Sequence, residues 1–324
     1  MERRKTYAIT FSALAVVLLA LADLMAGGVS LGFGEVFRGL TGHGAAADIV
    51  LGIRLPRMLT ALVCGASLAL GGAQMQAVFR NPLADPHIMG VSGGAGLGAA
   101  VAAVSLAGTA LLAVSAFAGA LAASALVLIA SSKFRSGNTL LLFGVMLGFI
   151  FSAITSVLQY TAGEEGLKLF YSWAAGTFTS VSMSQDASLC GALCIGLLLA
   201  VINAKGLDII LFGEEYTALA GASSRRIRFL AILSCCVMTG VVTAFCGPLG
   251  FVGIVAPHAA RFLCRTSVHR AIIPASILCG AILALLADIF SQLPAIHTPL
   301  PAGSTLALLG IPLILVIMLS SRRN

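Results

Sequence analysis

Ten apolar stretches follow one another along the 324-residue chain, separated by charged residues, prolines and glycines. Most of them reach the roughly 20 apolar residues that a helix needs to cross a bilayer. The pattern therefore predicts an all-α membrane protein with about ten transmembrane helices, in a single polytopic domain over residues 1–324. The predicted spans are 8–26, 56–78, 88–107, 109–131, 139–161, 186–204, 228–246, 250–264, 271–290 and 303–320.

Two apolar segments need a separate interpretation. The run at 8–26 follows MERRKT as in a signal peptide, but it is longer than the usual apolar region of about 7–15 residues, which favours a retained first span. The stretch LFYSWAAGTF, residues 169–178, is too short to cross and carries the only tryptophan. An interfacial or re-entrant helix on the outer face is predicted there.

The charges are few and fall between the apolar stretches. The chain is 59% hydrophobic and 10% charged, with a net charge of +7. Its basic residues occur in short groups, which is typical of topology signals and does not indicate nucleic-acid binding. With a cytoplasmic N-terminus, only Arg38, Arg54, Arg57 and Lys168 of the 19 basic residues lie outside. The positive-inside rule then predicts a multi-pass inner-membrane protein with both termini in the cytoplasm.

Several kinds of chemistry lack their sequence signals. No GxxxxGK[ST] phosphate loop occurs, so this chain is not expected to hydrolyse ATP, and the absence of HExxH argues against a membrane protease. The carboxylates avoid the middles of the spans, with Asp23 and Asp288 near outer ends, which disfavours an ion-coupled secondary transporter but leaves it as the alternative. No CxxC pair occurs among the eight cysteines, so neither metal nor any other cofactor is predicted.

Residues 80–96, RNPLADPHIMGVSGGAG, interrupt the apolar pattern. Pro82 and Pro86 disfavour helix at the residues before them, Asn81 and Asp85, which predicts a cytoplasmic turn between two spans. Asp85 is placed to cap the following helix, and the glycine-rich run would allow close helix packing.

The histidines outside the spans show no ligand-like spacing. They fall in predicted loops, where solvated side chains are the expectation. These residues are His43, His87, His269 and His297.

Four sequence blocks together resemble one family of transporters. Residues 54–99, 247–265, 284–290 and 300–315 are similar to the permeases of type II ABC importers for iron-siderophores, haem and cobalamin. The resemblance implies a homodimer with the pathway at its interface, two cytoplasmic ATPase subunits that hold ATP and magnesium, and an external binding protein. Its cargo would be a ferric siderophore, the commonest assignment, or haem or cobalamin.

The loop at 206–224 matches the ATPase-docking loop of that family. The two glutamates would begin a short helix and Gly221 would end it. A membrane-surface helix without a partner is the alternative. The predicted docking residues are Glu214, Glu215, Ala218, Leu219 and Gly221.

Arg54 and Arg57, in RLPR, match family arginines that pair with acidic residues of the binding protein. Spaced three apart, they would share one helix face, and snorkelling at the interface is the alternative. The chain departs from the family at Gln292 and Pro299, where arginine and glutamate are common, so docking at that second region is in doubt.

Two further motifs match family positions. The residues Gly137, Asn138 and Thr139, after Ser136, correspond to a cytoplasmic gate. Pro257, His258 and Arg261 belong to a block shared by permeases with different cargo, so a structural role is favoured over haem or metal ligation. With Asn81, Pro82, Asp85 and Pro86 they form the predicted structural motifs.

Overall fold

A computed structural model describes residues 2–27, 31–44, 46–105, 108–134, 136–179, 181–293 and 300–321. Within these residues the chain is a bundle of helices. They are α1 (Glu2–Met25), α2 (Phe33–Leu40), α3 (Ala47–Ile49), α4 (Leu55–Val78), α5 (Val91–Val104), α6 (Gly108–Lys133), α7 (Gly137–Thr161), α8 (Glu164–Ala174), α9 (Met183–Ile210), α10 (Glu214–Leu219), α11 (Ser224–Cys246), α12 (Val252–Cys264), α13 (His269–Ser291) and α14 (Ala302–Ser321). A π-helical turn, Val50–Arg54, joins α3 to α4, and a 3-10 turn, Pro86–Met89, precedes α5.

The ten predicted spans are confirmed as helices. Among the described residues, seven helices are long and apolar enough to cross a membrane: α1, α3–α4, α6, α7, α9, α11 and α13. Three shorter apolar helices, α5, α12 and α14, account for the others. The short apolar stretch near Trp173 forms α8, which begins five residues earlier than the stretch itself.

The helix directions define two ends of the bundle. Helix α4 runs from Arg57 toward Arg80, whose guanidinium lies beside Gly213 at the start of α10. We call this the α10 end and the opposite one the α8 end. Asp23, near the end of α1, and Ala302, at the start of α14, both make contacts at the α8 end. The start of α1 and the end of α14 therefore both lie at the α10 end.

Helix α4 occupies the centre, and most of its residues are buried. A Cβ atom added to Gly72 would lie 1.9 Å from the Gly253 carbonyl oxygen, and one on Gly65 would lie 2.3 Å from that of Gly280. Two helix backbones therefore touch α4 directly, as small residues allow in a membrane protein.

The predicted close packing of the glycine-rich run is also confirmed. A Cβ atom on Gly98 would lie 2.0 Å from the Ser115 carbonyl oxygen, and one on Gly94 would lie 2.5 Å from that of Gly119. Helices α5 and α6 thus meet backbone to backbone.

Helices α5 and α12 are short because both begin deep inside the bundle. At 14 and 13 residues they span only about 20 Å of a roughly 30 Å hydrocarbon core. Pro86 packs on Gly71, in the second half of α4, and Asp85 faces Gly253 at the start of α12. The prediction of a hairpin outside the membrane over residues 80–86 is therefore wrong for its second half, because the chain turns back into the bundle before α5 begins.

We expect Gly72→Ala to lower the apparent melting temperature of the purified protein. The added methyl group overlaps a main-chain carbonyl that cannot rotate away, and such overpacking costs about 1–3 kcal/mol or more. The measurement is thermal denaturation followed by size-exclusion chromatography in one detergent. Gly191→Ala is the control, because no atom lies within 4 Å of the added group. Equal melting temperatures for the two variants would contradict the backbone contact.

Candidate functional site

The predicted docking loop contains a short helix, as the sequence indicated. Helix α10 begins at Glu214 and ends at Leu219, and Gly221 follows with φ +72°, a left-handed conformation that suits glycine. The loop boundary was wrong, however, because α9 continues to Ile210. Residues 206–210 therefore belong to the last turns of a spanning helix, whereas the sequence placed them in the loop.

The two glutamates of α10 have different surroundings. Glu214 forms an ion pair with Arg228 of α11, which is 3% exposed and also donates to the Phe134 carbonyl at 3.5 Å. Glu215 is exposed. Glu214 thus ties α10 to α11, because a buried guanidinium needs a charged partner.

An apolar patch lies on the outside of this loop. Leu219 is 87% exposed and Phe212 73% exposed, and the ring of Phe212 contacts that of Tyr216 with centroids 5.1 Å apart. Together with Glu215, these residues form what we call the α10 surface. Exposed apolar groups clustered at a polar end of a membrane protein indicate an interaction site.

The predicted gate residues form the start of α7. Ser136 precedes the helix, and its carbonyl accepts the Leu140 N–H at 3.2 Å. Gly137 packs on α4, where an added Cβ would lie 3.3 Å from the Val78 oxygen. Asn138 and Thr139 are exposed. The segment lies at the α10 end, and its opening and closing stay a prediction.

Asp85 caps the 3-10 turn rather than α5. Its Oδ1 accepts the His87 N–H at 2.8 Å, while Asn81 Oδ1 accepts the Leu83 N–H at 2.9 Å. Gly90, with φ +76°, separates the turn from α5. Asp85 is therefore a capping residue, as predicted, but it caps the 3-10 turn and not the following helix, because this turn lies between Asp85 and α5.

Two histidines expected in solvent are instead structural. His87 Nε2 lies 2.7 Å from the Leu249 carbonyl oxygen, joining the two irregular segments inside the bundle. His269 is 1% exposed, and both its main-chain N–H and its Nδ1 bond Asp208 Oδ1, at 2.8 and 2.7 Å. The expectation failed because the turn that holds His87 folds back into the bundle and His269 begins α13 in contact with α9. His43 is exposed as expected, and His297 lies outside the described residues.

His258 forms a hydrogen bond within α12 and Arg261 joins α12 to α4, while their predicted role near an ATPase interface stays a prediction. His258 Nδ1 lies 2.7 Å from the Ile254 carbonyl oxygen one turn earlier in the same helix, next to the Gly253 carbonyl, whose helix hydrogen bond Pro257 removes because proline has no N–H. Arg261 donates to Gln76 Oε1, and the Gln76 amide donates to Gly253 O at 3.2 Å. In the described part of the chain, no three His, Cys, Asp or Glu residues form a group that could hold a metal ion.

Arg54 and Arg57 are engaged inside the chain. Arg54 is 7% exposed and donates to the Leu24 carbonyl at 2.8 Å. Arg57 forms a bidentate ion pair with Asp288, with Nε and Nη2 each 2.8–3.0 Å from a carboxylate oxygen, and Nη2 also donates to Ser291. The spans that surround α4 thus supply partners for both arginines within the chain, and their docking to a binding protein stays a prediction.

A network of polar side chains surrounds this ion pair. Gln292 Nε2 donates to Asp288 Oδ2 at 2.9 Å and to Asp23 Oδ1 at 3.3 Å, joining α1 to α13. Arg57 and Asp288 also line a cavity of about 340 Å³ whose opposite wall is the segment after α8. Gln292 thus has an internal role where the family often has arginine, and Pro299 lies outside the described residues.

The sequence did not identify these acidic residues as buried partners. Asp288 is 2% exposed, Asp23 3%, and Asp186 3% with its Oδ1 accepting the Thr60 hydroxyl at 2.7 Å. The available signal was a carboxylate within an apolar helix, which requires a partner in the bundle. Their predicted position near the ends of the spans is confirmed.

Comparison with known proteins identifies the family of this bundle. The model of the FecCD transport family matches residues 14–320. The chain belongs to the FecCD transport family. The seven spanning helices and three shorter apolar helices of the described residues form the fold of a type II ABC importer permease, as predicted.

Curated relatives extend over most of the chain. Vitamin B12 import system permease BtuC of Citrobacter koseri is 38% identical over 275 residues, covering 84% of this chain and 83% of that protein. BtuC of Salmonella arizonae is 39% identical with the same coverage.

Solved structures agree with this assignment. A transporter assigned to the metal-chelate ABC type, in an inward-facing conformation, matches with a TM-score of 0.85, 28% identity, and 97% and 99% coverage of the two chains. PsaBC of Streptococcus pneumoniae in complex with Fab matches with a TM-score of 0.57 at 18% identity, over 88% of this chain and 95% of that one. The second match supports the fold alone.

We expect Asp288→Asn and Arg57→Gln each to destabilise the protein by about 3–5 kcal/mol, because each leaves a buried charge without its partner. The double variant should lose less than the sum of the two. Thermal denaturation of all four proteins measures this coupling, and the exposed Lys168→Gln is the control. Additive losses would contradict a direct ion pair.

Proposed function

We propose that two copies of this chain form the membrane pathway of an ABC importer that moves a bulky metal chelate into the cytoplasm. Cobalamin is the first choice of cargo. This choice is supported by relatives with 38–39% identity over 84% of the chain that carry the name of a vitamin B12 import permease, and a ferric siderophore or haem is the second choice.

One surface of α7 carries this proposal. Ser152, Ser156 and Tyr160 follow one another at four-residue spacing and are exposed, with Tyr160 92% exposed. The Ser156 hydroxyl donates to the Ser152 carbonyl at 3.0 Å and therefore has a partner within the helix. Tyr160 is the largest polar side chain of this stripe. Polar side chains in a membrane favour the inside of a bundle or a water-filled cavity over lipid. A second copy facing this stripe would create such a cavity.

The α10 surface is the proposed contact with a cytoplasmic ATPase subunit. The chain has no phosphate loop of its own, so ATP and magnesium would be held by that partner. Leu219 and Phe212 supply exposed apolar area, and Glu215 supplies an exposed carboxylate. The concentration of basic residues at this end supports its placement in the cytoplasm.

An external binding protein would dock at the α8 end. Arg57 is the arginine that lines the cavity there, and its side chain is 11% exposed. Docking on Arg57 would exchange Asp288 for a carboxylate of the binding protein. Arg54, held by the Leu24 carbonyl, would then position the start of α4 and need not touch the partner.

The alternative of an ion-coupled carrier draws on one observation. Helices α5 and α12 begin at mid-depth, a feature that secondary transporters use to bind ions. Here the Leu249 carbonyl and the Gly253 carbonyl are bonded by His87 and Gln76, so they already have partners. The ABC importer is favoured because the family match covers nearly the whole chain.

We expect Leu219→Asp to weaken binding of the ATPase subunit at least about tenfold, because the carboxylate would be buried without a partner. Binding is measured by co-purification and by ligand-stimulated ATP hydrolysis in lipid. Phe33→Asp is the control, because it adds the same charge to an exposed residue of α2. Full ATPase binding by Leu219→Asp would show that α10 is not the contact.

We expect the assembled transporter in vesicles to import labelled cobalamin with ATP and without an ion gradient. Ser156→Trp should reduce import to background by filling the pathway, while Ile195→Trp, on an exposed part of α9, should not. Import of a ferric siderophore or haem in place of cobalamin would change the cargo only. Uptake driven by a proton or sodium gradient would overturn the proposal.

A further inference from the structure

A second cavity lies on the side of the bundle, and no residue of α7 is among those that line it. It is a groove of about 750 Å³ between α9 and α13, a volume within the usual range of about 300–1,000 Å³ for small-molecule sites. Its walls are almost entirely apolar. Among the residues that line it are Leu197, Val201, Ala204, Ile273, Pro274 and Ile277.

Two alanines of α9 and a proline of α13 account for the space in this groove. Ala200 and Ala204 are buried on α9, in a cluster with Leu70 of α4 and Met238 of α11. Pro274 lies inside α13, where it removes a helix hydrogen bond and distorts the helix. Two helices that meet through small side chains and a proline leave space between their outer faces.

The length of the groove matches one leaflet of a bilayer. It extends from Lys205 to Leu197 on α9 and from Arg270 to Leu278 on α13, which is nine residues and therefore eight helical rises in each case. At 1.5 Å per residue this is about 12 Å, close to half of a roughly 30 Å hydrocarbon core. The apolar groove is therefore about as long as one leaflet of the bilayer is thick.

The mouth at the α10 end is cationic. Lys205 and Arg270 are both exposed, and neither takes part in an ion pair within 4 Å among the residues the structure describes. The nearby carboxylate, Asp208, bonds the N–H and Nδ1 of His269 through its Oδ1, and among the described residues its ion-pair partner within 4 Å is His269 rather than either cation. Lys205 and Arg270 thus lie at the mouth of the apolar groove without an ion-pair partner among the described residues.

We propose that this groove binds one anionic phospholipid, with an acyl chain between α9 and α13 and the phosphate on Lys205 and Arg270. Charge complementarity favours a phospholipid over a second copy of the chain. A two-fold contact places the same patch on both subunits, so the cations of the two copies would face each other. The proposal does not depend on the cargo or on the ATPase, and it assigns a site that transport itself does not use.

The test uses the complete transporter in lipid nanodiscs with equal amounts of phosphatidylglycerol and phosphatidylethanolamine. Native mass spectrometry after detergent release counts the lipids that each protein retains. The variants are Lys205→Gln/Arg270→Gln, which removes the cations, and Val201→Trp, which fills the groove at an exposed residue and keeps both cations. Arg225→Gln/Arg226→Gln is the matched control, because it removes two exposed cations at the same end outside the groove.

We expect the wild type and the control to retain phosphatidylglycerol preferentially. The cation variant should retain it about 10- to 30-fold less, and Val201→Trp should retain little of either lipid. Equal retention of both lipids by the wild type, or unchanged retention by Lys205→Gln/Arg270→Gln, would overturn the headgroup site. Unchanged retention by Val201→Trp would show that the lipid binds outside the groove. Disulfide cross-linking of Val201→Cys between two protomers would show that a second copy of the chain covers the groove.

Discussion

The bundle depends on main-chain contact around α4. In a bilayer, lipid tails are as apolar as the helix surfaces, so close van der Waals packing must hold the helices together. Gly72 and Gly65 provide it, because their hydrogen atoms allow the carbonyls of Gly253 and Gly280 to approach directly. Helices α12 and α13 are thereby fixed against the same central helix, and the Arg57–Asp288 and Gln76–Gly253 contacts join the same helices.

The approach of Gly253 to α4 also explains the irregular segments in the interior. Main-chain groups inside a membrane protein must find partners within the protein. The Leu249 carbonyl receives His87, and the Gly253 carbonyl receives Gln76. The Asp85 carboxylate faces Gly253 at the start of α12, where the positive end of the helix dipole favours a negative charge. These bonds join α4, α5 and α12 into one unit at mid-depth.

The two ends of the bundle are built differently. At the α8 end, Arg57, Asp288 and Gln292 are bonded to one another and largely buried, while Lys168 of α8 is exposed. The α10 end pairs Glu214 with Arg228 but leaves Leu219 and Phe212 exposed. An end with exposed apolar groups can bind a partner without losing an internal contact, whereas docking on Arg57 must displace Asp288. Binding at the α8 end would thus be coupled to a rearrangement of α4 and α13.

The sequence by itself determined the ten helices, the family and the short helix at 214–219, because apolar length, basic loops and turn residues are local signals. It located Asp85 and Gly221 as end residues for the same reason. Only the tertiary structure decided which charges are partners: Arg57 and Asp288 are separated by 231 residues. It also decided that His87 and His269 are structural and that a groove lies between α9 and α13. Hydrophobic periodicity shows that a helix is buried, but its neighbours are chosen by the packing of small residues across the whole bundle.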